Sequence, residues 1–80
     1  MDIKEIEEKV SAFLVDELEI DADKIAPEAR LKEDLGVDSL EIVDVVVFVD
    51  QAFGFKMRPE DFKSLQTCSD FCQFIQQRLG

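Results

Sequence analysis

At Asp34-Leu35-Gly36-Val37-Asp38-Ser39-Leu40-Glu41 the chain passes from a loop into a long helix and sets a hydroxyl at the junction. Asp38 is suited to the N-cap, where a short side-chain oxygen accepts from the free backbone N–H groups of the first turn. Glu41, three positions on, is expected to reach back and close a capping box. Ser39 then falls at the first helical position. Gly36 lets the backbone bend into the helix without a Cβ penalty, and Leu35 and Val37 anchor the loop on either side of it. An anion carried on the Ser39 hydroxyl would lie near the exposed N–H groups and positive end of the helix dipole, with Asp38 and Glu41 opposing it locally.

The helix that starts here is expected to run from Ser39 to about Phe53. At 100° per residue, Ile42, Val45, Val46, Val49 and Phe53 form the core stripe, while Leu40, Val43 and Val47 fall on the opposite side with Asp44. A surface helix needs only one apolar stripe. The second reads as a docking strip beside Ser39, flanked by Glu41, Asp44 and Asp50 and suited to basic partner surfaces.

Upstream, Ile3, Ile6, Val10, Phe13, Leu14 and Leu18 recur at helical spacing and predict a first helix over residues 3 to 18. Glu19 to Asp34 breaks that rhythm: Asp21, Asp23 and Pro27 signal turns, and Ile20, Ile25 and Leu31 are spaced to pin a long loop. The loop does not read as an EF-hand, because Ala26 stands where the calcium loop needs glycine. Downstream, Gly54 ends the second helix, with Phe55 and Met57 packing back onto the core. Pro59 opens a short third helix over residues 59 to 64. Thr67 and Asp70 form a capping pair for a fourth, which carries Cys68, Phe71, Cys72, Phe74, Ile75 and Leu79. The expected fold is all-α: a small four-helix bundle of three main helices and one short one, with a long loop between the first two. Residues 1–80 read as one domain.

Composition narrows the function. Nine basic against nineteen acidic residues leave a net charge of −10, which argues against nucleic acid and anionic membrane surfaces and for protein partners with basic patches. The chain has no histidine, tryptophan or tyrosine, so the commonest general base is missing, and a domain of this size leaves little room for an enclosed active site. Cys68 and Cys72, four apart, lack the further ligands of a zinc site and read as small buried apolar residues in a reducing compartment. No signal peptide or membrane-length apolar run is read, and a cytoplasmic monomer is expected.

Leu35-Gly36-Val37-Asp38-Ser39-Leu40 closely resembles the phosphopantetheine attachment motif of acyl carrier proteins, and the length, acidity, helix layout and distances from Ser39 to both termini extend that resemblance over essentially the whole chain. The resemblance implies a carrier and not an enzyme: Ser39 receives 4'-phosphopantetheine from coenzyme A through a phosphopantetheinyl transferase. The terminal thiol of that arm holds an acyl group as a thioester for acyl-transferring or acyl-activating enzymes. It gives Asp38 a part in orienting the loop and holding the transferase's metal or base, and makes the second helix, through Leu40, Glu41, Val43, Asp44 and Val47, the recognition helix. A peptidyl or D-alanyl carrier is the nearest competitor in that class. Outside it stand an unmodified acidic interaction module in which Ser39 only caps, and a metal-dependent enzyme built on Asp34, Asp38 and Glu41.

The chain departs from the fatty-acid carriers it resembles in two places. Those carriers continue their acidic surface past the second helix, where this chain has Gln51, Ala52, Lys56, Arg58 and Lys63, and so a different or narrower partner set is expected. Phe62 and Phe71 stand where the family more often has small or aliphatic residues facing the acyl cavity. Bulky rings there predict cargo that is short, polar or held by the partner, unless they only replace aliphatic volume elsewhere in a repacked core.

Overall fold

The computed structural model describes residues 2–79. Four α-helices follow in order: α1 (Ile3–Asp16), α2 (Ser39–Phe53), α3 (Pro59–Lys63) and α4 (Cys68–Leu79), with one turn of 3-10 helix at Ala22–Lys24. Among the described residues no strand forms, and the expected all-α bundle is the fold.

Each helix end has a local cause. Asp2 caps α1, accepting from the backbone nitrogen of Lys4 at 3.3 Å. The helix stops at Asp16, two residues before the expected end at Leu18. Glu19 there takes a left-handed conformation (φ 56°), and the N–H of Ile20 returns to the carbonyl of Leu14 at 3.1 Å. A left-handed non-glycine residue costs about 1 kcal/mol, and burial of Ile20 at the turn offsets it. At the end of α2, Gly54 sits at φ 80° and donates to Asp50, the glycine stop expected from sequence. Pro59 begins α3, where Asp61 accepts from the N–H of Arg58 at 3.1 Å, and Ser64 caps the last turn instead of extending it. The expected Thr67–Asp70 pair forms in both directions, Asp70 N–H to Thr67 Oγ1 at 3.2 Å and Thr67 N–H to Asp70 Oδ2 at 3.3 Å.

The core draws on every segment. Ile6, Val10 and Leu14 of α1 meet Val45 and Val49 of α2 and Phe71 and Ile75 of α4, all essentially withdrawn from solvent; each such side chain contributes about 1.5–3 kcal/mol of transfer free energy. The α2 stripe is buried at Ile42, Val45, Val49 and Phe53, but Val46 is only half-buried. Phe48, outside that stripe, leans over the ring of Phe13 and packs edge-on to Phe53. Phe62 of α3 and Phe71 of α4 meet edge to face with centroids 5.5 Å apart.

The long connection between α1 and α2 is pinned in place. Ala29, Leu31, Leu35 and Val37 are buried, and its backbone pairs with the turn before α4. Leu31 N–H donates to Gln66 (2.8 Å), Cys68 N–H to Ala29 (3.0 Å) and Ser69 N–H to Pro27 (2.9 Å), around an isolated antiparallel bridge between Arg30 and Thr67. Ile20 and Leu31 are the deep anchors expected from sequence; Ile25 is half-buried.

Candidate functional site

The first turn of α2 forms because its N–H groups have a partner waiting. Asp38 is extended, and its Oδ1 accepts from the backbone nitrogens of Leu40 at 3.0 Å and Glu41 at 3.2 Å. The reciprocal half of the expected capping box is missing: Glu41 makes no return bond to the Asp38 N–H. A second carboxylate folded over the same helix end would face the first at short range, and like charges that close cost more than one exposed N–H bond returns.

The cap is therefore Asp38 alone, which leaves Ser39 without a capping duty. Its side chain is exposed on the first residue of α2, and among the described residues its hydroxyl has no hydrogen-bond partner in the protein. Leu35 and Val37, both buried, hold the preceding loop to the core, while Gly36 between them adopts φ 71°, where a side chain would be strained. The hydroxyl is thus presented from a fixed backbone.

Two surfaces adjoin it. On one side Leu40, Val43 and Val47 stand 81%, 57% and 48% exposed, the apolar strip expected from the helix periodicity. Asp44 is exposed beside them and Glu41 half-buried. On the other side a cleft of about 460 Å³ opens between the end of the long loop, α2 and α3. Ser39 and Asp38 stand at its lip, Leu31, Val37, Ile42, Phe62 and Leu65 line it, and Lys32 and Lys63 border it. Phe71, fully buried, lies behind Phe62 and fills the interior with aromatic volume. A covalent arm on the Ser39 hydroxyl fits this arrangement: the oxygen is exposed, it is outside the cap's hydrogen bonds, and a largely apolar cleft begins beside it.

Asp34, Asp38 and Glu41 are not brought together as a metal site. Asp34 turns back to accept from the Arg30 N–H at 2.9 Å, Asp38 caps α2, and no group of three or more metal-binding side chains converges among the described residues. The two cysteines are free and buried, as expected. Burial pushes the thiol of Cys68 up to about 11; burial, then neighbouring Cys68 and Glu7, pushes that of Cys72 up to about 12. Both stay protonated near neutrality and make poor nucleophiles.

Lys32 was not legible as a neighbour of the site, nor Phe48 as a partner of Phe13. Lys32 follows the anchor Leu31, but its direction is fixed only by the pairing of Leu31 with Gln66, a partner thirty-five positions away. Phe48 falls between the two stripes on a helical projection, and ring size decides which neighbour it reaches.

Comparison with known proteins agrees with this geometry. The family model described as "Phosphopantetheine attachment site" matches residues 8–75, which defines a phosphopantetheine-bearing carrier. An acyl carrier protein of Thermosynechococcus vestitus is 37% identical over 80 residues, covering 100% of this chain and 99% of that protein. One of Solidesulfovibrio magneticus is 33% identical over 75 residues, covering 94% and 96%. The chain belongs to the acyl carrier protein family, whose members carry intermediates and do not catalyse; the cofactor is 4'-phosphopantetheine.

Proposed function

We propose that Ser39 is the attachment residue and that this carrier delivers acyl intermediates, as thioesters, to enzymes that dock on the first half of α2. The observation that carries this reading is the division of labour at the helix start: Asp38 supplies the whole cap, leaving the exposed Ser39 hydroxyl unused by the fold. A phosphopantetheinyl transferase would join that oxygen to the pantetheine-bearing phosphorus of coenzyme A; the pyrophosphate bond breaks, adenosine 3',5'-bisphosphate leaves, and the hydroxyl proton passes to a base of the transferase. When bound, the arm supplies a terminal thiol for the thioester; the protein supplies a fixed origin for it and a weak dock that raises the cargo's effective concentration at each partner.

Leu40, Val43 and Val47 supply the apolar centre of that dock, and Glu41 and Asp44 supply charge for basic partner surfaces. The cations at Lys56, Arg58 and Lys63 support a partner set narrower than that of a general fatty-acid carrier. The aromatic pair Phe62 and Phe71 supports short or polar cargo in a fatty-acid, polyketide or specialised acyl pathway. Two free cysteines and the absence of a long apolar helix among the described residues are compatible with a cytoplasmic monomer.

Intact mass tests the central assignment. Incubated with coenzyme A and a broad-specificity transferase, the wild type should gain one phosphopantetheine and Ser39→Ala none. An unmodified wild type across several transferases would favour the plain interaction module instead.

A further inference from the structure

The cleft beside Ser39 has an unusual border for a chain this acidic. Only nine of eighty residues are basic, yet Lys32 from the long loop and Lys63 from the end of α3 both border this one depression. With Leu65 they also line a smaller, more polar depression that includes Arg30, Glu33 and Gln66. Arg30 is already paired with Glu33 at 2.6 Å. Among the described residues, neither lysine ammonium lies within the 4.0 Å of a carboxylate that defines an ion pair. Asp38, the carboxylate on the cleft itself, is held by two backbone N–H groups. Below the lysines the lining is apolar, and it ends at Phe62 backed by Phe71. The depression therefore offers a short apolar stem a place to lie and offers an anionic tip two cations.

We propose that this cleft selects cargo made of a short acyl chain ending in a carboxylate, with Lys32 and Lys63 pairing with that terminal group. The proposal rests on attachment of the arm at Ser39 and narrows the cargo that the arm carries. Two unpaired lysines favour such a tip over a methyl end for two reasons. A carboxylate meets two cations that need not be released from another ion pair, whereas a longer alkyl chain meets the aromatic floor. Both lysine side chains are exposed, so the pairing is weak and reversible, as transfer to a partner requires. The arm's own phosphodiester is a second anion that the modification would bring to these lysines, and the experiment separates the two.

The protein is loaded with a non-hydrolysable, amide-linked glutaryl-pantetheine arm, with its uncharged glutaramyl counterpart, and with the bare arm, and intact mass verifies each product. Side-chain ε-CH2 resonances of Lys32 and Lys63 and backbone amides of Phe62 and Leu65 are then followed by NMR. The glutaryl form should shift the lysine signals, and the glutaramyl form should leave them where the bare arm does, since only the charged tip forms the weak exposed ion pair. Raising the salt should shrink that difference, and Lys32→Gln with Lys63→Gln should abolish it while loading proceeds normally. Coincident glutaryl and glutaramyl spectra would overturn the proposal, as would lysine signals that move fully with the bare arm, since the anion would then be the phosphodiester. Failure of the wild type to load would overturn the attachment reading itself, a result that mass reports before any spectrum is taken.

Discussion

Asp38 Oδ1 lies 3.0 Å from the backbone nitrogen of Leu40, so the residue before the serine fixes the residue after it. Among the described residues Leu40 is the most exposed large apolar side chain, and this bond and its companion to Glu41 hold the helix turn that carries it beside Ser39. Removing the cap with Asp38→Ala should cost about 1 kcal/mol of stability in urea denaturation, and Asp38→Asn should recover most of it. An Ala variant as stable as wild type would mean that the first turn of α2 does not depend on this cap.

Ser39→Ala should leave stability unchanged within about 0.5 kcal/mol, because among the described residues the hydroxyl has no hydrogen-bond partner and the side chain is exposed. The same variant loses the whole of the proposed modification. A large drop in the unfolding midpoint would show that the hydroxyl serves the fold after all.

Val43 is 57% exposed and contributes little to the core. Val43→Ser should keep the melting temperature close to that of wild type yet reduce kcat/KM of a phosphopantetheinyl transferase acting on this carrier by about tenfold, a loss of about 1.4 kcal/mol of docking. Equal transferase kinetics with both proteins would remove Val43 from the dock.

Much of this arrangement is written locally. Asp38, Gly54, Pro59 and the Thr67–Asp70 pair each mark a helix end through contacts within a few residues, so sequence spacing locates them. The exposed strip follows from the 100° repeat alone. What local reasoning misses depends on partners distant in sequence or on competition between like groups. Glu41 forgoes the return half of its capping box because Asp38 already occupies the helix end. Phe48 is half-buried like Val46 although it lies outside the stripe, because its ring finds Phe13 on α1, 4.2 Å away and nearly parallel. Lys32 reaches the cleft because Leu31 pairs with Gln66. No periodicity encodes such pairings, since the two segments that meet are both irregular.

With a net charge of −10, and with Arg30–Glu33 and Arg78–Asp61 the ion pairs found among the described residues, self-repulsion opposes the folded state. Raising ionic strength from near zero to physiological, or adding millimolar magnesium, should increase Tm by on the order of 5 °C. A Tm flat across a magnesium titration would indicate that the acidic groups are already far enough apart to ignore one another.

The buried thiols add a dependence at the alkaline end. Cys68 and Cys72 are pushed up from 9.0 to about 11 and about 12 in the fold. Above about pH 9 the unfolded chain therefore loses these protons before the native state does. Their contribution is full below pH 9 and is lost as pH rises through the folded values, so the urea midpoint should fall from pH 9 towards pH 11. A Cys68→Ala, Cys72→Ala variant, though less stable at pH 7, should show a shallower fall. The same slope in both proteins would assign the alkaline loss to other groups.

The pairing of residues 27–31 with residues 66–69 bears on how carriers of this kind can be recombined. The start of α2 is aligned to the rest of the molecule through a backbone clasp whose two halves flank it in the chain, one before α2 and one after α3. A chimera that imports α2 alone would carry a new version of the proposed docking surface on the old alignment, while one that imports a single half of the clasp would mismatch it. Loop, serine junction and the turn before α4 form one exchangeable cassette, discontinuous in sequence, and grafting partner preference from one carrier to another requires moving all three together.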